Sequence, residues 1–108
     1  MQTDQLTRTF AALADPTRRA ILTHLADGEA TVNEVAKPFA ISLPAISRHL
    51  KVLEQAGLVT RGRDAQWRPA RMEAEPLDEA MDWMRARKAT WELRMDRLDA
   101  HLRKEDDR

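Results

Sequence analysis

The chain has no cysteine, only three glycines and no long run of apolar residues. Without thiols, disulfide bonds and cysteine-based metal sites are excluded. No stretch approaches the roughly 20 apolar residues that a membrane-spanning helix needs. The first residues lack the basic-then-apolar pattern of a secretory signal. We therefore expect a cytoplasmic protein that has no membrane partner, binds no metal and needs no cofactor.

Signs of catalysis are also missing. None of the three glycines lies in a glycine-rich phosphate loop. His24, His49 and His101 are far apart in the sequence, and no nucleophile is paired with a base. The sequence therefore does not predict an enzyme.

Charge is balanced overall but not along the chain. Eighteen basic and eighteen acidic residues give a net charge of zero. Residues 42–72, however, carry six basic and two acidic side chains. Residues 1–41 carry four basic and five acidic, and residues 73–108 eight and eleven. Because a local basic face attracts phosphate whatever the total charge, the middle block is the candidate surface for nucleic acid.

Capping residues and helix breakers divide the 108 residues into short helices, a pattern that suits one small domain. A first helix is predicted over residues 4–13, and Asp15 before Pro16 begins a second that runs to about residue 25. Thr31 fits the start of a capping box, and Ser42 caps the next helix, which Gly57 ends. A helix-turn-helix is thus predicted over about residues 31–56.

A change to extended character follows the last of these helices. Residues 58–63 and 66–72 are predicted to be two β-strands joined by a short turn. Pro69 cannot donate to a ladder, so the second strand is an edge strand or ends early. Together they form a small β-hairpin, or wing, over about residues 58–72. The predicted fold is mainly α with this hairpin, a winged helix-turn-helix in a single domain.

The helix after Ser42 has two different faces. Ile46, Leu50 and Leu53 recur at helical spacing and form its apolar face. The opposite face is hydroxylic and basic, which suits a helix that enters the DNA major groove. The candidate DNA-binding residues are Ser42, Leu43, Pro44, Ser47, Arg48, His49 and Lys51, with Arg61, Arg63 and Arg68 on the hairpin. An ordinary solvated face, or a basic face that binds an acidic protein partner, is the alternative.

The last helix, predicted over about residues 76–104, carries a heptad seam in which Lys88 is the only polar member. The seam predicts a partner helix, either the first helix of the same chain or the same helix of a second copy. We favour a homodimer to which both helices contribute. Its interface residues would be Leu6, Phe10, Leu13, Leu77, Met81, Met84, Trp91, Met95, Leu98 and Leu102. Trp83 and Trp91, with the seam methionines, either pack as core or line a pocket for an unknown effector.

Two stretches, Phe10–Leu22 and Ile46–Val59, resemble the ArsR/SmtB family of bacterial transcriptional repressors in motif, order and spacing. The resemblance implies a dimeric winged helix-turn-helix that binds operator DNA and is released by an effector. Residues 32–36 read Val-Asn-Glu-Val-Ala where the best-known metal sensors have cysteines. The chain therefore resembles a branch without those metal sites. Its expected function is sequence-specific regulation of transcription, as a repressor that binds a pseudo-palindromic operator as a homodimer.

Overall fold

The computed structural model describes residues 4–62 and 68–106, which form five helices and one antiparallel hairpin. The elements are α1 (Gln5–Leu13), α2 (Pro16–Ala26), α3 (Val32–Ala36), α4 (Leu43–Gln55), β1 (Val59–Arg61), β2 (Ala70–Met72) and α5 (Glu75–Asp106). The order is that of a winged helix-turn-helix, in which α3 and α4 form the helix-turn-helix and β1 and β2 the wing. The predicted fold class is confirmed.

Side chains cap the helices where the sequence predicted them. Asp15 accepts hydrogen bonds from two backbone N–H groups in the first turn of α2. Thr31 and Glu34 form a reciprocal capping box at the start of α3. Ser42 accepts from the backbone N–H of Ala45, at 3.3 Å, at the start of α4. These bonds satisfy N–H groups that have no partner inside their helix, and so they fix where each helix begins.

The C-terminal end of α4 is a Schellman motif built on Gly57. The N–H of Leu58 donates to the carbonyl of Leu53 at 2.9 Å, and the N–H of Gly57 donates to the carbonyl of Glu54 at 3.0 Å. Gly57 has φ of +77°, a left-handed conformation that glycine adopts without a steric penalty. The motif turns the chain from α4 directly into β1, and so it fixes where the wing leaves the body.

The apolar face of α4 lies at the centre of the core. Ile46, Leu50 and Leu53 are fully buried, as their spacing predicted. They pack with Ile21 of α2, Val35 of α3 and other small or apolar side chains of the hairpin and of α1. Removing one such leucine side chain typically costs about 2–5 kcal/mol. Helix α4 is thus held by one face, and its other face is left to solvent.

Among the described residues, the two strands of the wing are short, and β2 is tied to the body. β1 and β2 pair in the register Val59↔Met72, with Arg61 opposite Ala70. Ala70 also exchanges two backbone hydrogen bonds, of 3.0 and 2.7 Å, with Ala30 in the loop between α2 and α3. That loop therefore anchors the base of the wing. The predicted turn and Arg63 lie outside the described residues.

Helix α5 is the element that reaches furthest from the core. Its 32 residues extend about 48 Å at the usual helical rise. Leu77 packs against the core and Ala80 is buried, whereas every described residue from Met81 onward is exposed. None of the helices in the described part of the chain is long and apolar enough to cross a membrane.

Candidate nucleic-acid interface

The solvent face of α4 collects most of the predicted DNA-binding side chains. Seven of them belong to this helix or its cap, and six of these are exposed: Ser42, Leu43, Pro44, Ser47, Arg48 and Lys51. His49 is half-buried instead, because it points toward the start of α2. By helical spacing, Pro44, Arg48 and Lys51 lie opposite the buried Ile46, Leu50 and Leu53, and Ser47 lies beside them. Ser42 and Leu43 are exposed because they lie at the N-terminal end of the helix. The helix therefore presents hydroxyl and basic groups outward while its apolar side holds it in the core.

The cations of this face have no acidic partner within the described chain. No described carboxylate forms an ion pair with Arg48 or Lys51. The described ion pairs lie at the wing base and along α5: Arg71–Glu73, Asp82–Arg85, Lys88–Glu92, Asp99–Arg103 and His101–Glu105. The guanidinium and ammonium groups of α4 are thus available to phosphate or to base edges, as a DNA-reading helix requires.

The N-terminal end of α4 exposes apolar groups beside its cap. Leu43 is 47% exposed and Pro44 is also exposed, in the first turn after the Ser42 cap. Pro44 has no N–H and the N–H of Ala45 donates to the cap, so the N–H of Leu43 and the helix dipole are what this end offers to a phosphate. Apolar side chains at this end can contact the methyl group of thymine. The end of the helix is therefore suited to both backbone and base contacts.

The wing arginines have different environments. Arg61 donates from Nε and Nη2 to the carbonyl of Arg68, at 3.1 and 3.0 Å, so its guanidinium closes the hairpin. Arg68 is exposed and has φ of +26°. Arg63 lies outside the described residues. The hydrogen bonds from Arg61 use only the backbone carbonyl of Arg68. The side chain of Arg68 therefore takes no part in them.

Glu73, just after β2, links the two strands of the wing. The hydroxyl of Thr60 donates to its carboxylate at 2.9 Å, and Arg71 forms an ion pair with it at 3.2 Å. The hydrogen bond from Thr60, followed by that from Arg71, holds the pKa of Glu73 below its ordinary value. Glu73 consequently stays charged and cross-links β1 to the end of β2.

A polar junction that the sequence analysis missed lies behind the exposed face of α4. Arg18 donates from Nε to the carbonyl of Ala12 at 2.7 Å and from Nη2 to that of Ala11 at 3.1 Å. Its Nη1 lies 3.4 Å from Nδ1 of His49. The backbone N–H of Arg18 donates to Asp15, and that bond is the main cause that lowers the pKa of this carboxyl. An arginine in the first turn of a helix gives no sequence signal of such a role.

The predicted dimer residues divide into covered and exposed groups. Leu13 and Leu77 pack against the chain's own core, and Leu6 and Phe10 are half-buried. Phe10 meets Trp83 edge-to-face with ring centroids 6.0 Å apart, and so joins α1 to α5. The exposed group consists of Met81, Met84, Trp91, Met95, Leu98 and Leu102. We call these six residues the α5 seam.

The α5 seam offers little room for a small molecule in a single copy of the chain. Met81, Met84, Arg85 and Lys88 line a shallow depression of about 170 Å³. Ligand pockets usually measure about 300–1,000 Å³, so the geometry favours a packing surface over an effector pocket. Among the described residues, no three histidine or carboxylate side chains converge to hold a metal ion.

Comparison with known proteins agrees with this geometry. Residues 13–62 match the model of a family described as a helix-turn-helix domain. The transcriptional repressor SdpR of Bacillus subtilis is 39% identical over 75 residues, which cover 69% of this chain and 83% of SdpR. A crystal structure of an ArsR family transcriptional regulator superposes with a TM-score of 0.78 at 40% identity, and covers 82% of this chain and 98% of that one.

A third relative bears on assembly. The solution structure of a homodimeric winged helix-turn-helix DNA-binding domain from Mycobacterium bovis, described as a possible ArsR-family regulator, has a TM-score of 0.62. It is 30% identical and covers 84% of this chain and 89% of that domain. The family resemblance predicted from residues 10–22 and 46–59 is confirmed, and the chain belongs to the ArsR family of DNA-binding transcriptional regulators, which is not a family of enzymes.

Proposed function

We propose that this regulator is a homodimeric repressor that binds a pseudo-palindromic operator, with α4 of each copy in the major groove and the wing alongside. The observation that carries the proposal is the exposed face of α4. Its Ser47, Arg48 and Lys51 face solvent, and no described carboxylate pairs with the two cations. The opposite face of the same helix is fully buried, so those side chains have a fixed direction.

The α5 seam supports assembly of two copies. Its six large apolar side chains are each at least 40% exposed and recur at heptad spacing along one helix. Contiguous exposed apolar surface of this kind commonly marks a protein interface. A second copy would cover the seam symmetrically, and α1 would contribute where Phe10 meets Trp83. The homodimeric Mycobacterium bovis relative supports this arrangement.

Two-fold symmetry then gives the operator its form. Two copies of α4 related by a two-fold axis can enter successive major grooves, about 34–36 Å apart, on one side of the duplex. The half-sites would be inverted repeats. Because basic residues cluster around residues 42–72 while acidic residues prevail on α5, the reading surface attracts DNA although the net charge is zero.

The first test is Arg48→Ala with Arg97→Ala as its matched control. Both arginines are exposed and the charge change is identical, but Arg97 lies on the distal half of α5. Binding to DNA from upstream of the chain's own coding region is measured by gel shift over a range of salt. We expect Arg48→Ala to cost about 1–3 kcal/mol of operator binding, and Arg97→Ala to bind as wild type.

The salt dependence separates the two kinds of contact. If Arg48 reads a base, the salt slope stays nearly unchanged while discrimination at one base pair relaxes. If it contacts phosphate, the slope falls by about one. Wild-type operator affinity in Arg48→Ala contradicts the groove assignment. Failure of the wild-type chain to bind any DNA at low salt would instead favour the acidic protein partner.

The second test addresses the dimer with Leu98→Glu and its control Leu93→Glu. Both leucines are exposed on the distal half of α5, Leu98 by 49% and Leu93 by 58%. Leu98 belongs to the seam, whereas Leu93 lies off it. Sedimentation equilibrium should show monomers for Leu98→Glu and wild-type dimers for Leu93→Glu, because only the first buries a charge between copies. Dimers of unchanged affinity in Leu98→Glu refute the seam as the interface.

A further inference from the structure

We propose that Arg18 is a positioning residue for DNA recognition, which ties the end of α1 to the recognition helix α4 and so sets the separation of the two reading helices. The inference rests on the proposed homodimer, in which α1 and α5 face the second copy. Arg18 lies on α2, between the two elements that it joins. It contacts the recognition helix through His49, which lies next to Arg48 in the sequence.

The guanidinium uses all three of its nitrogens in this link. Nε and Nη2 donate to the carbonyls of Ala12 and Ala11 in the last turn of α1, at 2.7 and 3.1 Å. Nη1 lies 3.4 Å from Nδ1 of His49 on α4. The planar fork of arginine fixes the relative directions of these contacts, which the single ammonium of lysine cannot do. One side chain therefore constrains two helices at once.

The chemistry of the pair also decides which atom of the imidazole can accept from the guanidinium. Arginine has donors only, so a hydrogen bond at this contact requires the lone pair of Nδ1 on His49. Asp15 adds a negative charge at the same junction, where it accepts from the backbone N–H of Arg18 at 3.1 Å. Arg18 is thus held by a hydrogen bond from its backbone N–H as well as by the contacts of its guanidinium.

A second tether shows why the loss of Arg18 should allow α4 to move. Gln5, near the start of α1, donates from Nε2 to the carbonyl of Ala56 at 2.7 Å, just past the end of α4. Helix α1 thus contacts the C-terminal end of α4 through Gln5 and its middle through Arg18 and His49. With one tether gone, α4 can tilt about the other. Two-fold symmetry would apply the tilt in both half-sites and change their separation.

The experiment compares Arg18→Lys with Arg19→Lys. Arg19 is the matched control because its Nη1 donates to the carbonyl of Leu13 at 2.7 Å, also at the end of α1, and no described hydrogen bond joins it to α4. Each variant is titrated against the operator and against operators whose half-sites are one base pair closer or further apart. Dimerisation, the thermal melting temperature and the salt slope are measured on the same samples.

We expect Arg18→Lys to lose on the order of tenfold in affinity for the natural spacing, the effect of one hydrogen bond to a charged group. Its preference among the three spacings should flatten, while the dimer and the salt slope remain as in wild type. Arg19→Lys should keep the wild-type preference. A role limited to stability would lower the melting temperature without changing the spacing preference. That result, or equal effects of the two lysine variants, overturns the proposal.

His49→Leu tests the same contact from its other end and leaves the bonds of Arg18 to α1 in place. Its spacing preference should flatten as in Arg18→Lys, and the double variant should be no flatter than either single one. Independent, additive effects overturn the proposal. If Arg18→Lys does not fold, a wild-type spacing preference in His49→Leu alone overturns it. A wild-type chain that binds one isolated half-site with full operator affinity would refute the homodimeric repressor, and the spacing role with it. A wild-type preference retained by both variants would refute the role of Arg18 alone.

Discussion

Replacing Gly57 by alanine tests the joint between the recognition helix and the wing. Gly57 has φ of +77°. An added Cβ would lie 3.5 Å from Cγ of Pro76 and 4.0 Å from Nε2 of Gln5, which are ordinary contacts. The cost is therefore conformational and not steric crowding. The left-handed conformation costs an L-residue about 1–2 kcal/mol, and the lower entropy of the unfolded alanine chain returns roughly 0.4–1 kcal/mol.

We expect Gly57→Ala to lose about 1 kcal/mol of the free energy of unfolding, which corresponds to roughly 5 °C in melting temperature for a domain of this size. Urea and thermal denaturation followed by circular dichroism measure it, at one fixed protein concentration because assembly shifts the midpoint. Gly57→Asn is the control, since asparagine tolerates the left-handed conformation better than alanine. Gly57→Ala at or above wild-type stability, or below it by no more than Gly57→Asn, would refute the reasoning.

Two further predictions concern stability: one compares a buried with an exposed leucine of α4, and the other tests the charge of the Asp15 cap. Leu50→Ala, in the fully buried face of α4, should cost about 2–5 kcal/mol in urea denaturation. Leu43→Ala, 47% exposed at the N-terminal end of the same helix, should stay within about 0.5 kcal/mol and weaken operator binding instead. Similar losses of stability in the two variants would contradict the assigned burial. Asp15→Asn keeps a helix cap but cannot ionise. Because hydrogen bonding lowers the pKa of Asp15 in the folded state, its charge stabilises the fold above the ordinary value of 3.8, and this contribution is lost as the pH falls through the folded pKa. The stability gap between wild type and Asp15→Asn should therefore narrow from pH 6 to pH 2, and a gap that is independent of pH would refute the linkage.

Much of the fold follows from local chemistry. The caps at Asp15, Thr31 and Ser42 accept from backbone N–H groups two or three residues away, so the local amino-acid sequence is enough to place them. The two faces of α4 follow from helical spacing in the same way. The end of α4 at Gly57 depends on the conformational freedom of one residue. These features required no knowledge of distant parts of the chain.

Part of the candidate site was predicted for the same reason. Ser47, Arg48 and Lys51 are exposed because they alternate around the helix with Ile46, Leu50 and Leu53, which are buried. His49 was predicted either to be hydrogen-bonded within the fold or to contact DNA, and the structure places its ring against Arg18, 31 residues earlier. Arg61 was named as a charge for DNA, and its guanidinium bonds the carbonyl of Arg68. Periodicity gives the face of a helix but not the neighbour that this face meets.

The sequence by itself determined the helix boundaries, the buried and exposed faces of α4 and the heptad seam, because each depends on residues within one or two turns of one another. Only the tertiary structure decided which groups meet across the chain. Ala30 pairs with Ala70, and Arg18 reaches both α1 and α4. Docking also covered Leu77 and Ala80 of α5 while it left Met81 and the residues beyond it exposed. Contacts between distant segments depend on how whole helices pack, and no local pattern of residues encodes that arrangement.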